Sequence, residues 1–249
     1  MRLRHAVVGL GFMGRTHVEA IQACARRGVS STLAAVCDGD AQRLAGEAVA
    51  AGNMGTGGST RLFDPALVRG YVDPAELLGD RDIDIVHICT WTDTHVDLAQ
   101  RALAAGKHVI VEKPVAVRSS DVQRLADAAA RSDRLCMPAM CMRFWPGWTW
   151  LRERIVDRSF GAVRSATFRR LGSAPAWNDF YRDESRSGGA LFDLHVHDTD
   201  FVLWCFGRPT SVRSTGSSQH ITTLYGFADG PAHVTAEGGW TLAPAPDSA

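Results

Sequence analysis

The stretch "VVGLGFMGRTH", Val7–His17, joins an apolar run to a helical pattern through Gly9, Gly11 and Gly14 in GxGxxG spacing. The strand candidate "HAVVGLG" (His5–Gly11) leads into it and a predicted helix leaves it. In that setting Gly9 permits the tight turn, Gly11 lets the backbone approach a pyrophosphate, and Gly14 allows close packing of helix on strand. The phosphates would sit at the helix N-terminus, where free N–H groups and the dipole favour anions. With 24 glycines in the chain the spacing alone is a weak signal. Its context strengthens it. The second strand candidate, "TLAAVCD", ends at Asp38, 24 positions after Gly14 and near the separation expected of an acid that grips the adenosine ribose. The competing role for Asp38 is a strand-end aspartate capping the helix that begins near Asp40. An acid here repels a 2′-phosphate, so NAD is favoured over NADP.

Outward from that loop, short apolar runs alternate with helical patterns. "IDIVHICT" (Ile83–Thr90), "KHVIVEK" (Lys107–Lys113) and "RLCMPAM" (Arg134–Met140) are strand candidates. Helices are predicted over Thr94–Ala105, closed by Gly106, and over Ser120–Arg131. Near-continuous apolar strands alternating with helices indicate a doubly wound parallel sheet, so the first half is an α/β dinucleotide-binding domain of the Rossmann type, residues 1–140. "GNMGTGG" (Gly52–Gly58) is expected to be a surface loop. After about Met142 the pattern changes. "PGWTWLRERIVDRSFG" is helical in character, whereas "VRSATFRRLG", "TSVRSTGS", "ITTLYGF" and "AHVTAEGGW" alternate like antiparallel strands. Residues 141–249 are therefore expected to form an α+β domain with a largely antiparallel sheet.

Composition sets the outer limits. Among 249 residues, 45% are hydrophobic, 22% are charged, and the formal net charge is +0. That is an ordinary globular composition with no long basic block, which argues against a nucleic-acid partner or an anionic membrane surface. No apolar run approaches the ~20 residues a spanning helix needs. "MRLRHAVVGLG" enters a strand with no signal-peptide pattern, and the six cysteines include no CxxC pair and read as reduced core residues, so a cytoplasmic location is expected.

Only Lys107 and Lys113 are lysine among the 27 basic residues. Lys113 ends a strand immediately before Pro114, which cannot donate to a ladder and forces the chain to turn. Ligands bind beyond the carboxyl ends of strands in open parallel sheets, which aims Lys113 at the cleft. A solvated strand-end lysine is the bland alternative. The scarcity of lysine favours function, because a compact ammonium can be desolvated and can donate to a reacting oxygen.

"SGGALFDLHVHDTD" (Ser187–Asp200) carries two histidines and three aspartates. Gly188-Gly189 before it and "GRP" after it delimit one helix, Ala190–Phe206, on which Asp193 and His197 lie four apart on a shared face and His195 points elsewhere. A strand would instead align Asp193, His195 and His197 as a three-ligand metal set. The stretch lacks the HxHxDH continuation of metallohydrolases, since Thr199 and Asp200 occupy those places, and no metal is expected. The helical pair suits acid/base chemistry, an ordinary histidine titrating near ~6.5. His195 reads as a packed or capping histidine, and Asp198 and Asp200 carry no expected role.

These stretches in order, with "THVDLAQRALAAGKHVIVEKP" and "MRFWPGW", resemble the glucose–fructose oxidoreductase/inositol dehydrogenase (Gfo/Idh/MocA) family over essentially the whole chain. The resemblance implies that Lys113, Asp193 and His197 are the catalytic lysine, aspartate and histidine. It also implies that Phe12, Met13, Thr90, His95 and Glu112 line the cofactor, with Trp91 where the family often has proline. The implied activity is NAD-dependent hydride transfer to or from a secondary alcohol of a sugar, cyclitol or related polyol. Two other activities fit the same motifs: an NAD-using glycosidase of the family and a non-catalytic dinucleotide-binding regulator. Family members usually run longer, and Pro244 and Pro246 follow the final predicted strand, Ala232–Trp240. The second domain is thus expected to be incomplete, the tail disordered, and that strand an unpaired edge through which the protein forms a homo-oligomer.

Overall fold

A computed structural model describes residues 2–47, 61–175 and 178–243. The loop expected at 52–58 and the tail at 244–249 lie outside the described residues. The chain divides into two compact units, Met1–Ala139 and Met140–Ala249.

In the first unit, β1 (Leu3–Val8) buries Ala6, Val7 and Val8, side chains of both its faces, as a central strand covered by helices must. It passes through the glycine loop into α1 (Phe12–Arg26), which turns Gly14, Val18 and Ile21 inward at helical spacing. Then follow β2 (Ser31–Cys37), α2 (Ala41–Leu44), β3 (Arg69–Tyr71), α3 (Pro74–Gly79), β4 (Ile85–Ile88), α4 (His95–Ala104), β5 (His108–Val111), α5 (Ser119–Ala130) and β6 (Cys136–Pro138). All six strands are parallel in the order β3-β2-β1-β4-β5-β6. The winding reverses between β1 and β4, and ligands of such sheets bind at the carboxyl ends beside that reversal.

One face of the sheet packs Ala6, Val8, Ile88, Val109 and Val111 with residues of α3, α4 and α5, including Leu77, Val96, Leu103 and Leu125. The other packs Val7, Leu33 and Val36 with Val18 and Ile21. Each valine, leucine or isoleucine among them contributes about 1.5–3 kcal/mol on full burial. Two elements were not anticipated. β3 has three residues and too little alternation to register in a pattern. α3 is set by Asp73, whose carboxylate accepts from Ala75 N, and by Pro74 in its first turn.

The second unit contains α6 (Pro146–Val156), β7 (Ser165–Gly172), α7 (Glu184–Ser187), α8 (Val196–Phe206), β8 (Ser211–Gly216), β9 (His220–Gly226) and β10 (His233–Trp240). The sheet order is β7-β10-β9-β8. β8–β9 and β9–β10 are antiparallel, but β10 pairs β7 in parallel from His233↔Ser165 to Trp240↔Gly172. Two of the three pairings are thus antiparallel, which is the largely antiparallel sheet expected. The expected unpaired edge at the final strand is corrected: among the described residues β10 is interior, and the edges are β7 and β8. The return through α8 brings the chain back so that β10 slots between strands made earlier. Phe201 of α8 stacks edge-on against Trp148 of α6 and Phe168 of β7, at 4.6 and 5.6 Å between centroids, and this fixes both helices to one sheet face.

The cysteines depart partly from the expected core placement: Cys37 and Cys89 are buried, but Cys24 is exposed. Among the described residues no helix is long and apolar enough to cross a membrane.

Candidate active site

The glycine loop has the geometry its sequence implies. Gly9 sits at φ +87°, and a Cβ there would lie 2.6 Å from the carbonyl oxygen of Cys89 at the end of β4. A Cβ on Gly14 would lie 1.8 Å from the carbonyl oxygen of Gly9, so only glycine lets α1 rest on the turn. Gly11 differs. Its Cβ would meet nothing within 4 Å, and it caps α1 without a side chain, which leaves open room before the first-turn N–H groups. Phe12 and Met13 form that first turn and are half-buried, with Met13 against the Val7–Val36 core.

Asp38 holds the loop from below. One carboxylate oxygen accepts from Leu10 N at 2.7 Å and the other from Asp40 N at 2.9 Å. The helix cap itself is Asp40, which accepts from Gln42 N. Arg43, which no sequence motif singled out, brings its Nη1 to 3.4 Å from Asp38. Arg43 thus sets a cation beside the Asp38 carboxylate.

At the carboxyl ends of β4 and β5, Thr90 Oγ1 lies 2.6 Å from Thr94 Oγ1. His95 is fully buried, with Nδ1 2.9 Å from the carbonyl oxygen of Pro114 and Nε2 3.1 Å from that of Thr90. It clips the turn after β5 to the end of β4. Burial holds its imidazole below the usual histidine range, against the pull of those two carbonyls. Glu112 is buried as well, its Oε2 accepting from Lys113 N at 3.0 Å and its Oε1 2.8 Å from His17 Nε2. Lys113 is partly buried beside it, ahead of a cis bond to Pro114.

In the second unit the single α-helix expected over Ala190–Phe206 is corrected. Leu191–His195 is a π-turn that passes into α8. A π-turn carries more residues per turn than an α-helix, so the turn that bears Asp193 and leads to His197 is wider than expected. Both side chains are half-buried. The wide turn is wedged in place. His195 is buried with Nε2 2.9 Å from Thr223 Oγ1 of β9, and a Cβ on Gly238 of β10 would press to 3.0 Å from the His195 Cβ. Gly188 and Gly189 lead into the turn at φ +74° and +65°.

Asp198 and Asp200 prove to be anchors of α8. Asp198 is 1% exposed and takes three contacts of 3.0–3.2 Å from Arg170 of β7. Burial raises its carboxyl above the ordinary range, and Arg170 opposes that shift. Asp200 is held bidentately by Arg143 at 2.8 and 2.6 Å. Among the described residues no group of three or more His, Cys, Asp or Glu side chains is arranged to hold a metal.

Residues 3–140 match the family pattern described as "Oxidoreductase family, NAD-binding Rossmann fold", and residues 148–242 match the GFO/IDH/MocA C-terminal domain. The chain belongs to the Gfo/Idh/MocA family. It is similar to an inositol 2-dehydrogenase of Rhizobium meliloti (strain 1021), with 31% identity over 218 residues, 87% of this chain and 59% of that protein. It is 28% identical to the rhizopine catabolism protein MocA of Rhizobium meliloti over 230 residues, 92% of this chain and 64% of that protein. Among solved structures, GenD2 from gentamicin A biosynthesis in complex with NAD superposes with a TM-score of 0.74 at 26% identity, covering 98% of this chain and 67% of that one. The chain thus spans 59–64% of the length of these two Gfo/Idh/MocA relatives.

Proposed function

We propose that this protein is an NAD-dependent oxidoreductase that moves a hydride between a secondary alcohol of a sugar, cyclitol or related polyol and the nicotinamide. The carrying observation is the glycine cradle: Gly9 and Gly14 cannot take a Cβ, whereas the space at Gly11 stays open. That combination suits a pyrophosphate at the head of α1. The names of the two relatives, one an inositol dehydrogenase and the other a rhizopine catabolism protein, supply the substrate class.

Bound NAD supplies the hydride acceptor. Asp38 would hold the adenosine ribose, and its charge would disfavour a 2′-phosphate. Thr90 and the His95-clipped turn would shape the nicotinamide end, with Glu112 behind it. Lys113 would donate to the alcohol oxygen as alkoxide character develops there, an interaction stronger in the transition state than in the ground state. His197 would accept the hydroxyl proton, and Asp193 would orient the substrate or the imidazole. The sheet of the second unit would serve self-association, β7 and β8 offering the open edges. All six cysteines are free, in keeping with a reducing compartment such as the cytoplasm.

The test is a panel of polyols and sugars followed by NADH absorbance, run beside Lys113→Met and His197→Ala. NADH production by the native chain with at least one polyol, lost in both variants, is expected. Native turnover in either variant, or sugar release without net NADH, would overturn the assignment.

A further inference from the structure

Inside the first unit, three histidines occupy positions that the fold reserves for apolar side chains. His5 of β1 and His87 of β4 are each two residues before a member of the Val7–Cys89 apolar cluster, so they point to the same sheet face, the one that α1 covers. His17 comes down onto them from α1. His5 Nδ1 is 2.9 Å from His87 Nε2, His87 Nδ1 is 2.8 Å from His17 Nδ1, and His17 Nε2 is 2.8 Å from Glu112 Oε1. His87 and Glu112 are buried, and His5 and His17 are partly so. At the far end, His5 Nε2 is a buried nitrogen with no hydrogen-bond partner.

With Glu112 ionised and the imidazoles neutral, the three contacts admit one arrangement of protons. The Glu112 carboxylate can only accept, so His17 carries its proton on Nε2 and presents a bare Nδ1. His87 must then donate from Nδ1 and accept at Nε2, and His5 must donate from Nδ1. The bare atom left over is His5 Nε2, the unpartnered one. We propose that His5, His87, His17 and Glu112 form a proton relay beneath α1, which takes up a proton at His5 Nε2 and delivers one to Glu112 at the cofactor end of the sheet.

The step balances without an electron changing hands. A solvent proton reaches Nε2 of the part-exposed His5, and the Nδ1–H of His5 passes to His87 Nε2. The Nδ1–H of His87 passes to His17 Nδ1, and the Nε2–H of His17 passes to Glu112 Oε1. Each imidazole ends neutral in its other tautomer, and the only change of charge is the loss of the Glu112 negative charge. Running the chain backward restores the starting tautomers. This matters because burial, together with its histidine neighbours, holds His87 well below the usual range, and burial lowers His5 as well. A resident imidazolium is costly here, and a concerted transfer avoids one.

The other titratable groups on the packed elements bias the two ends. Asp84 at the foot of β4, paired with Arg4, draws a proton toward His5. The Cys89 thiol, His95 and the Lys113 backbone N–H surround Glu112. On α1 the Arg15–Glu19 ion pair flanks the turn that bears His17. Discharging Glu112 would change the field at Lys113, which would couple the relay to oxidation of the alcohol. That catalytic use rests on the oxidoreductase function proposed above; the proton path does not.

Nitrogen-15 NMR of the full chain labelled at histidine, with carbon-13 at glutamate carboxyls, tests the path directly. At neutral pH we expect His17 as the Nε2–H tautomer and His5 and His87 as Nδ1–H. On acidification His5 should switch to Nε2–H at the midpoint at which Glu112 becomes protonated. An opposite tautomer at neutral pH, or His5 turning to imidazolium while Glu112 stays ionised, would overturn the relay. His87→Gln keeps a donor and an acceptor but cannot pass a proton. In that variant, Glu112 protonation should separate from His5, and turnover should fall at least tenfold with NAD affinity unchanged. Full turnover in a folded His87→Gln would remove the catalytic use. Absence of any NADH formation by the native chain would instead refute the oxidoreductase proposal and leave the NMR result to decide the path.

Discussion

Replacing Arg170 by methionine should unfold the support of α8 in a pH-dependent way. The guanidinium makes three contacts of 3.0–3.2 Å with Asp198, whose side chain is 1% exposed, and it lies 5.8 Å over the Trp148 ring. Methionine keeps the apolar stem against Trp148 but leaves a buried carboxylate without its partner. Breaking one side of a buried pair costs about 3–5 kcal/mol. At about 2–4 °C per kcal/mol for a chain of this length, the melting midpoint should fall on the order of 10 °C at pH 8. The pH dependence has a defined sign. The Asp198 carboxyl already titrates above its unfolded value, and losing Arg170 removes the influence that opposes that shift. A raised folded value gives stability that is present at acid pH and lost as pH climbs through it. The gap between variant and native protein should therefore be narrower at pH 5 than at pH 8. Asp198→Leu added to Arg170→Met should recover most of the loss, since no charge is then buried. Thermal melts by circular dichroism at both pH values suffice. A single variant melting within about 2 °C of native protein at pH 8, or one hurt more at pH 5, would refute the assignment of Asp198 as a buried, arginine-held carboxylate.

Binding of NAD should exceed that of NADP at least tenfold by calorimetry, about 1.4 kcal/mol, because in the proposed site Asp38 would face the added phosphate; Asp38→Ala, which frees Arg43, should narrow that ratio, and equal binding by the native chain would sink the assignment. Gly14→Ala should abolish NAD binding or destabilise the first unit, because its Cβ would fall 1.8 Å from a carbonyl oxygen; unchanged NAD affinity and melting would contradict the cradle. Lys113→Met and His197→Ala should each lower turnover on the order of 10²-fold or more while NAD still binds. Exhaustive chelation should leave turnover intact, and loss restored by zinc would reinstate a metal role for the 193–197 stretch.

Much of the first unit was legible because its signals are local. The glycine spacing, the apolar strand runs and the Lys113-Pro114 stop each declare themselves within a few residues. Where legibility failed, the cause lay in contacts distant in sequence. Nothing in "SGGALFDLHVHDTD" announces a π-turn, which follows from His195 being pinned between Thr223 and Gly238, dozens of residues downstream. Asp198 and Asp200 carry no signal in the sequence because their arginines, Arg170 and Arg143, arrive from a strand and a short 3-10 helix earlier in the chain. The parallel β7–β10 pair is a matter of topology, and alternation reads the same in either direction.

The two rare lysines show how far residue scarcity carries as an argument. Lys107 is as unusual in this arginine-rich chain as Lys113, yet it is buried and donates its ammonium to the carbonyl oxygens of Asp80 and Ile83, at 2.6 and 2.9 Å. Burial lowers its ammonium below the usual range, against Asp80 and Asp84. Its work is to close the amino-terminal edge of the sheet, where a compact three-donor head suits two converging carbonyls better than a planar fork. Scarcity therefore marks a demand for the ammonium's shape and leaves open what the demand is. Position makes the distinction: Lys107 precedes β5 and Lys113 follows it, and in an open parallel sheet the following end faces ligand. The histidines obey the same logic. His5, His87 and His17 each sit in a quoted motif and each alone passes for a packed side chain. Only the alignment of β1, β4 and α1 brings their nitrogens to 2.8–2.9 Å and turns three separate residues into a path.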